Sequence, residues 1–129
     1  AGIEGSVTLT GSLDGDDRLA AMARADVYAL PSYSEGFSVW VLEALAAGLP
    51  VVISTFCYFP EVETSGAGLV TDPDVNQVEA ALGTVIDDPD LADRMGKAGR
   101  DLARADYSWE SVASSFIEMY EEVVATASS

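Results

Sequence analysis

The 129-residue chain contains no histidine, one cysteine, Cys57, and one lysine, Lys97. The absence of imidazole removes the commonest general base at neutral pH, and a lone thiol without imidazole leaves too few ligands for a zinc site. An intrachain disulfide is excluded as well. Cys57 reads as a small buried hydrophobe, since no base stands near it in sequence to activate the thiol. Basic side chains are scarce: Lys and Arg number 6 against 22 Asp and Glu, a formal net charge of -16. Such a surface repels phosphate backbones, which argues against nucleic acid and anionic membranes as partners. It reads as an acidic solubilising coat, with a docking face for a basic subunit as the alternative. No apolar run reaches the roughly eighteen residues that cross a bilayer, and no basic-then-apolar segment opens the chain. The expectation is a soluble, cytoplasmic protein.

Hydrophobic residues make up 49% of the sequence, enough for one folded unit that buries about two-thirds of its unfolded surface. Apolar periodicity predicts strands near 6–10, 27–31, 51–54 and 68–71, alternating with helices near 16–24 and 38–47. That alternation is the pattern of parallel β-α-β units. After residue 72 the period becomes helical throughout, over 75–86, 89–105 and 109–125, with breaks at Asp72-Pro73 and Asp88-Pro89. In the last helix Trp109, Val112, Phe116, Met119, Tyr120 and Val123 fall on one face. Asp14-Gly15-Asp16-Asp17 has the opening of a calcium loop without its later ligands and reads as a helix start. No metal site is expected.

Between residues 36 and 60 the only charge is Glu43. A carboxylate in so apolar a run must be hydrogen-bonded, neutralised or aimed at a bound polar group, because burying it unpaired costs several kcal/mol. Eight positions earlier, Glu35 falls in the loop between the strand ending at Pro31 and the helix that Gly48 and Pro50 close. Ser38 is the expected N-cap of that helix. The amides of Gly36, Phe37 and Ser38 then gather at its positive end, where an anion binds readily. Amides for a diphosphate, with a carboxylate on either side for hydroxyls, is what a nucleotide sugar requires.

From Asp26-Val27-Tyr28-Ala29-Leu30-Pro31-Ser32 through Glu35-Gly36-Phe37, Val41-Leu42-Glu43-Ala44, Ala47-Gly48-Leu49-Pro50-Val51-Val52 and Pro60-Glu61-Val62 to Gly68-Leu69-Val70, the chain resembles the donor-binding domain of retaining GT-B glycosyltransferases of the glycosyl transferases group 1 type. Six blocks in order make the resemblance specific. It begins upstream at Val7-Thr8-Leu9-Thr10-Gly11 and continues loosely through Leu91 to Gly96 and Tyr107-Ser108-Trp109-Glu110. It implies an α/β fold, a Rossmann-like parallel sheet with flanking helices, forming part of one half of a GT-B architecture, with the first two strands of the donor domain missing and an all-helical part from about residue 75. On this expectation residues 1–129 form a partial donor-binding domain.

The resemblance further implies transfer of a hexose from a nucleotide diphosphate sugar to an acceptor hydroxyl, without metal or other cofactor. Glu35 takes the catalytic and donor-sugar position, Glu43 the ribose, and Gly36, Phe37 and Ser38 the remaining donor contacts. The leaving diphosphate itself helps deprotonate the acceptor in such enzymes, so positioning and electrostatics carry the rate. The acceptor-binding domain or chain would be a partner. The Arg and Lys that usually neutralise the diphosphate have no counterpart near the motif, since no basic residue stands between Arg24 and Arg94. The isolated chain is therefore expected to be inactive. Ser38 replaces a common glycine, Trp40 a common proline or small residue, and Phe56-Cys57-Tyr58-Phe59 a common glycine pair. Phe37 and Trp40 read as core more than as base-stacking platforms, and Glu61 either closes its loop or shapes the donor pocket. Two alternatives remain: a non-catalytic nucleotide-sugar-binding module completed by a separate acceptor-binding chain, and a structural fragment without ligand affinity. The gap where two strands would lie leaves an open sheet edge, which invites homo-oligomers or strand exchange.

Overall fold

A computed structural model describes residues 2–127 of the chain; the remaining ends of the expected 1–129 domain lie outside the described residues. At its centre, β2 (Val51–Ser54) reads Val-Val-Ile-Ser and is buried along its whole length. A continuous apolar run is what a strand covered on both faces requires. It pairs in parallel with β1 (Tyr28–Leu30), Tyr28 opposite Val51 and Leu30 opposite Ile53. On its other side it pairs in parallel with β3 (Gly68–Thr71), Val51 opposite Gly68 and Ser54 opposite Thr71. The sheet order among the described residues is β1-β2-β3.

Successive strand residues face opposite ways, and the core divides accordingly. Val51 and Ile53 join Val41, Leu45, Val62 and Leu102 in one cluster. Val52 joins Ala81, Val85 and Met95 in the other. Helix α2 (Val39–Ala47) covers the first face, and α4 (Val75–Ile86) the second. The long α5 (Pro89–Asp106) contributes to both clusters, Met95 to one and Leu102 to the other.

Local chemistry fixes these boundaries. Gly48 ends α2 at φ 82, a left-handed conformation that a side chain resists, and its N–H donates to the Leu45 carbonyl at 2.9 Å. Asp74 caps α4 by accepting from the Asn76 and Gln77 amides, and Asp88 caps α5 by accepting from the Leu91 amide, with Pro89 opening the helix. Close approach of α5 to α2 depends on Gly96, where a Cβ would stand 2.2 Å from the Gly48 carbonyl oxygen.

The structure corrects the sequence reading at the amino end. Residues 7–14 form no strand, and Val7 and Leu9 are exposed. Alternating apolar residues make a strand only when a neighbouring edge takes their backbone hydrogen bonds, and none of the described residues does so for 6–10. Helix α1 (Gly15–Met22) follows, held to the core by Met22. Two short elements went unforeseen, a 3-10 turn at Thr55–Cys57 and α3 (Glu61–Thr64). The last helix, α6 (Trp109–Ala127), forms as expected, but none of its residues is buried. Its apolar stripe, with Phe116 and Tyr120 in ring contact at 6.5 Å, faces outward.

Candidate functional site

The motif sits at the carboxyl ends of the strands, where open α/β sheets bind their ligands. Glu35 lies half-buried in the loop from β1 to α2, and the Ser32 hydroxyl donates to its Oε2 at 3.5 Å, a long bond. Beside it Gly36 is exposed, and a Cβ there would meet no atom within 4 Å. Its φ lies outside the left-handed region. Neither backbone strain nor packing among the described residues therefore requires glycine at 36; the space above it is open to an incoming group. Phe37 is half-exposed and packs on Phe59 at 5.0 Å and Tyr107 at 5.5 Å, so one ring face is committed to the fold. That contact ties the loop to the end of α5.

Ser38 occupies the N-cap position with φ -88 and ψ 109, and its carbonyl accepts from the Leu42 amide. The expected side-chain cap is absent. Although only 3% exposed, the Ser38 hydroxyl has no partner among the described residues. The first-turn amides of α2 are thus left without a side-chain cap. A buried hydroxyl without a partner is costly, and it stands at the positive end of the helix.

Glu43 is not the isolated charge that its sequence neighbourhood indicates. Its Oε1 accepts from Arg18 Nη2 at 2.9 Å. The guanidinium carbon also stands 4.5 Å from the centre of the Trp40 ring, within cation–π range. Trp40 and Glu43 are three positions apart and share a face of α2, so they grip one side chain together. Glu43 Oε2 and Arg18 Nε are both buried without partners among the described residues. Arg18 is the residue that sequence reasoning missed. The available signal was its spacing from Met22 on α1, which puts both on the inward face of that helix.

Tyr28, on β1, joins the two glutamates electrostatically. Burial pushes its phenol above the ordinary value, and nearby Cys57, Glu35 and Glu43 add to the shift. Its ring helps line an open recess of about 480 Å³ with Arg18, Trp40, Ser12 and Leu13. On the other flank of Glu43 lies a recess of about 350 Å³ that Arg100, Arg104 and Tyr107 also line. A larger one, about 750 Å³ beside Asp26, Pro50 and Pro89, opens at the amino ends of the strands, away from the motif.

Cys57 is fully buried, its Sγ 3.6 Å from the Leu30 carbonyl and from the Ser54 hydroxyl. It packs the sheet's carboxyl end, as a small hydrophobe does. Tyr58 is the one non-glycine residue at positive φ among those described, at 48. Glu61 begins α3, and together with burial and Asp106 it shapes the raised pKa of Tyr107, burial having the largest effect. Asp14 and Asp16 stand at the start of α1. Among the described residues no three His, Cys, Asp or Glu side chains converge to hold a metal ion.

A parallel sheet covered by helices on both faces, with an acidic strand-to-helix motif at its carboxyl edge, defines a Rossmann-like α/β domain. The family model for glycosyl transferases group 1 matches residues 1–102, and the chain belongs to that family. It is 38% identical over 127 residues to the MMP alpha-(1->4)-mannosyltransferase of Mycolicibacterium hassiacum, covering 96% of this chain and 31% of the relative. It is 38% identical over 112 residues to the glycogen synthase of Mycobacterium tuberculosis, covering 85% of this chain and 27% of the relative. Among solved structures, sucrose-phosphate synthase from Thermosynechococcus elongatus superposes with a TM-score of 0.77 at 31% identity, over 96% of this chain and 32% of that one. The fold is thus that of a GT-B glycosyltransferase fragment, and the chain spans about a third of the length of these relatives.

Proposed function

We propose that the chain is the donor-binding portion of a retaining glycosyltransferase that moves a hexose from a nucleotide diphosphate sugar to an acceptor hydroxyl. The observation that carries this reading is the amino end of α2, where a buried, unpartnered Ser38 hydroxyl and uncapped first-turn amides adjoin the open space above Gly36. Amides at a helix start suit a diphosphate, and charge leaving with it is stabilised there without reorganisation. Glu35, in the loop, holds sugar hydroxyls near the reacting carbon. Glu43, one turn into α2, takes a ribose hydroxyl. Gly36, Phe37 and Ser38 complete the donor contacts. The family membership and the mannosyl and glycogen products in the relatives' names support a hexose donor.

The acceptor-binding part lies outside the residues that carry this site, so binding without turnover is the expected behaviour of the chain alone. Calorimetry with a panel of nucleotide diphosphate sugars tests the reading. One member should bind weakly, and Glu35→Gln should weaken it without lowering the melting temperature. Absence of binding by every member at millimolar concentration would refute the donor site.

A further inference from the structure

We propose that Arg18 is the cation that receives the phosphates of the ligand at the α2 site. This rests on the donor-site reading above and gives that site a positive charge that the spacing of basic residues in the sequence conceals. The guanidinium lies over Trp40, in the first turn of α2, while one of its arms donates to Glu43 Oε1. Among the described residues that arm is the only part of the fork hydrogen-bonded to another side chain; the Nε is buried and closed to a ligand, so an anion is met by the exposed quarter of the side chain. A guanidinium presents five N–H donors in one plane, so it can keep its carboxylate and still offer donors to an anion. The uncapped amides of the same helix turn point the same partial charge toward the same ligand. A nucleoside diphosphate would therefore meet a cation and a helix dipole together, with Glu43 held still by the same guanidinium that faces the phosphates.

Three of the other arginines are placed differently. A Cβ at Gly48 would strike Arg100, so Arg100 lies at the far end of α2, where it complements the negative pole. Arg104 lines the opposite flank of Glu43, beside Tyr107. Arg24 is exposed beyond the end of α1 and serves as a control of equal charge.

The test uses the chain with Trp109→Phe, which leaves Trp40 as the one indole. GDP, UDP, inorganic pyrophosphate, guanosine and uridine are titrated into this protein and into its Arg18→Leu, Arg18→Lys and Arg24→Leu variants. Arg18→Leu should weaken the preferred diphosphate by about tenfold, the loss of a charge-assisted hydrogen bond. Nucleoside affinity should be unchanged, Arg24→Leu should match the parent, and Arg18→Lys should fall between. Diphosphate should also shift Trp40 emission in the parent, because the anion settles against the guanidinium stacked on that ring. Equal diphosphate affinity in Arg18→Leu and the parent would overturn the role of Arg18 while leaving the donor site intact. A parent that binds none of the five probes would overturn both. Should Arg18→Leu fail to fold, the emission of Trp40 decides: saturation with diphosphate without an emission change would overturn the proposal.

Discussion

Gly96→Ala and Gly83→Ala are the same substitution in two helices, and the packing gives them opposite signs. Replacing glycine by alanine inside a helix gains about 0.8–1 kcal/mol of intrinsic propensity. At Gly83, in α4, a new Cβ meets nothing within 4 Å, so that gain stands. At Gly96 the Cβ would sit 2.2 Å from the Gly48 carbonyl oxygen and 3.2 Å from its carbon, both backbone atoms. Relief requires α5 to move off α2, and overpacking of this kind costs about 1–3 kcal/mol or more. Gly83→Ala should therefore gain close to 1 kcal/mol and Gly96→Ala lose about 1–2 kcal/mol net. For a domain of this size each kcal/mol moves the melting temperature by about 3–5 °C. Thermal melts by circular dichroism should thus separate the two variants by about 6–15 °C, on opposite sides of the parent. A Gly96→Ala protein that melts at or above the parent would refute the close α2–α5 contact, and with it the placement of Phe37 against Tyr107.

Tyr58→Gly should raise stability by about 1 kcal/mol in urea unfolding, since a left-handed conformation costs an L-residue about 1–2 kcal/mol and the exposed ring gives up little packing; unchanged stability would show that the turn carries no strain. Glu43→Gln should lower stability by about 1 kcal/mol or less, because the Arg18 pair is lost but both side chains are a quarter or more exposed and screened; a stabilised variant would mean that Arg18 does not pair with it in solution. Tyr28 should titrate above the ordinary phenol value, its proton held by burial, Cys57, Glu35 and Glu43. A folded pKa above the unfolded one gives stability that is full below pH of about 10 and is lost as pH rises through the folded value. The 295 nm titration difference between the parent and Tyr28→Phe measures this, and a transition at or below the ordinary value would contradict it.

The central strand, α2, α4 and α5 were legible because each carries its own signal. Val51 to Ile53 is a continuous apolar run, Gly48 and Pro50 close α2, and Asp88-Pro89 opens α5. The strand expected at 6–10 misled because alternation in Val7 and Leu9 reports a face, and a strand also needs an edge to bond. The 3-10 turn and α3 are too short for any period to reveal. At the site, Glu35 and Glu43 stood out as charges in an apolar stretch, and the break before α2 placed them near a helix start. The partner of Glu43 did not stand out. Arg18 is 25 residues away on another helix, and only the packing of α1 through Met22 brings it over Trp40. Ser38 was legible as a boundary but not as an unpartnered hydroxyl, since side-chain rotamer, not residue type, decides whether a cap forms.

The most direct measurement of the donor site follows the backbone amides of the isotope-labelled chain by two-dimensional NMR while a nucleotide diphosphate sugar is added. Saturable shifts are expected to concentrate at Gly36, Phe37, Ser38 and Glu43, with α6 unmoved. Shifts confined to another surface, such as the groove between Tyr33 and Val75, or no shifts at saturating donor, would contradict it.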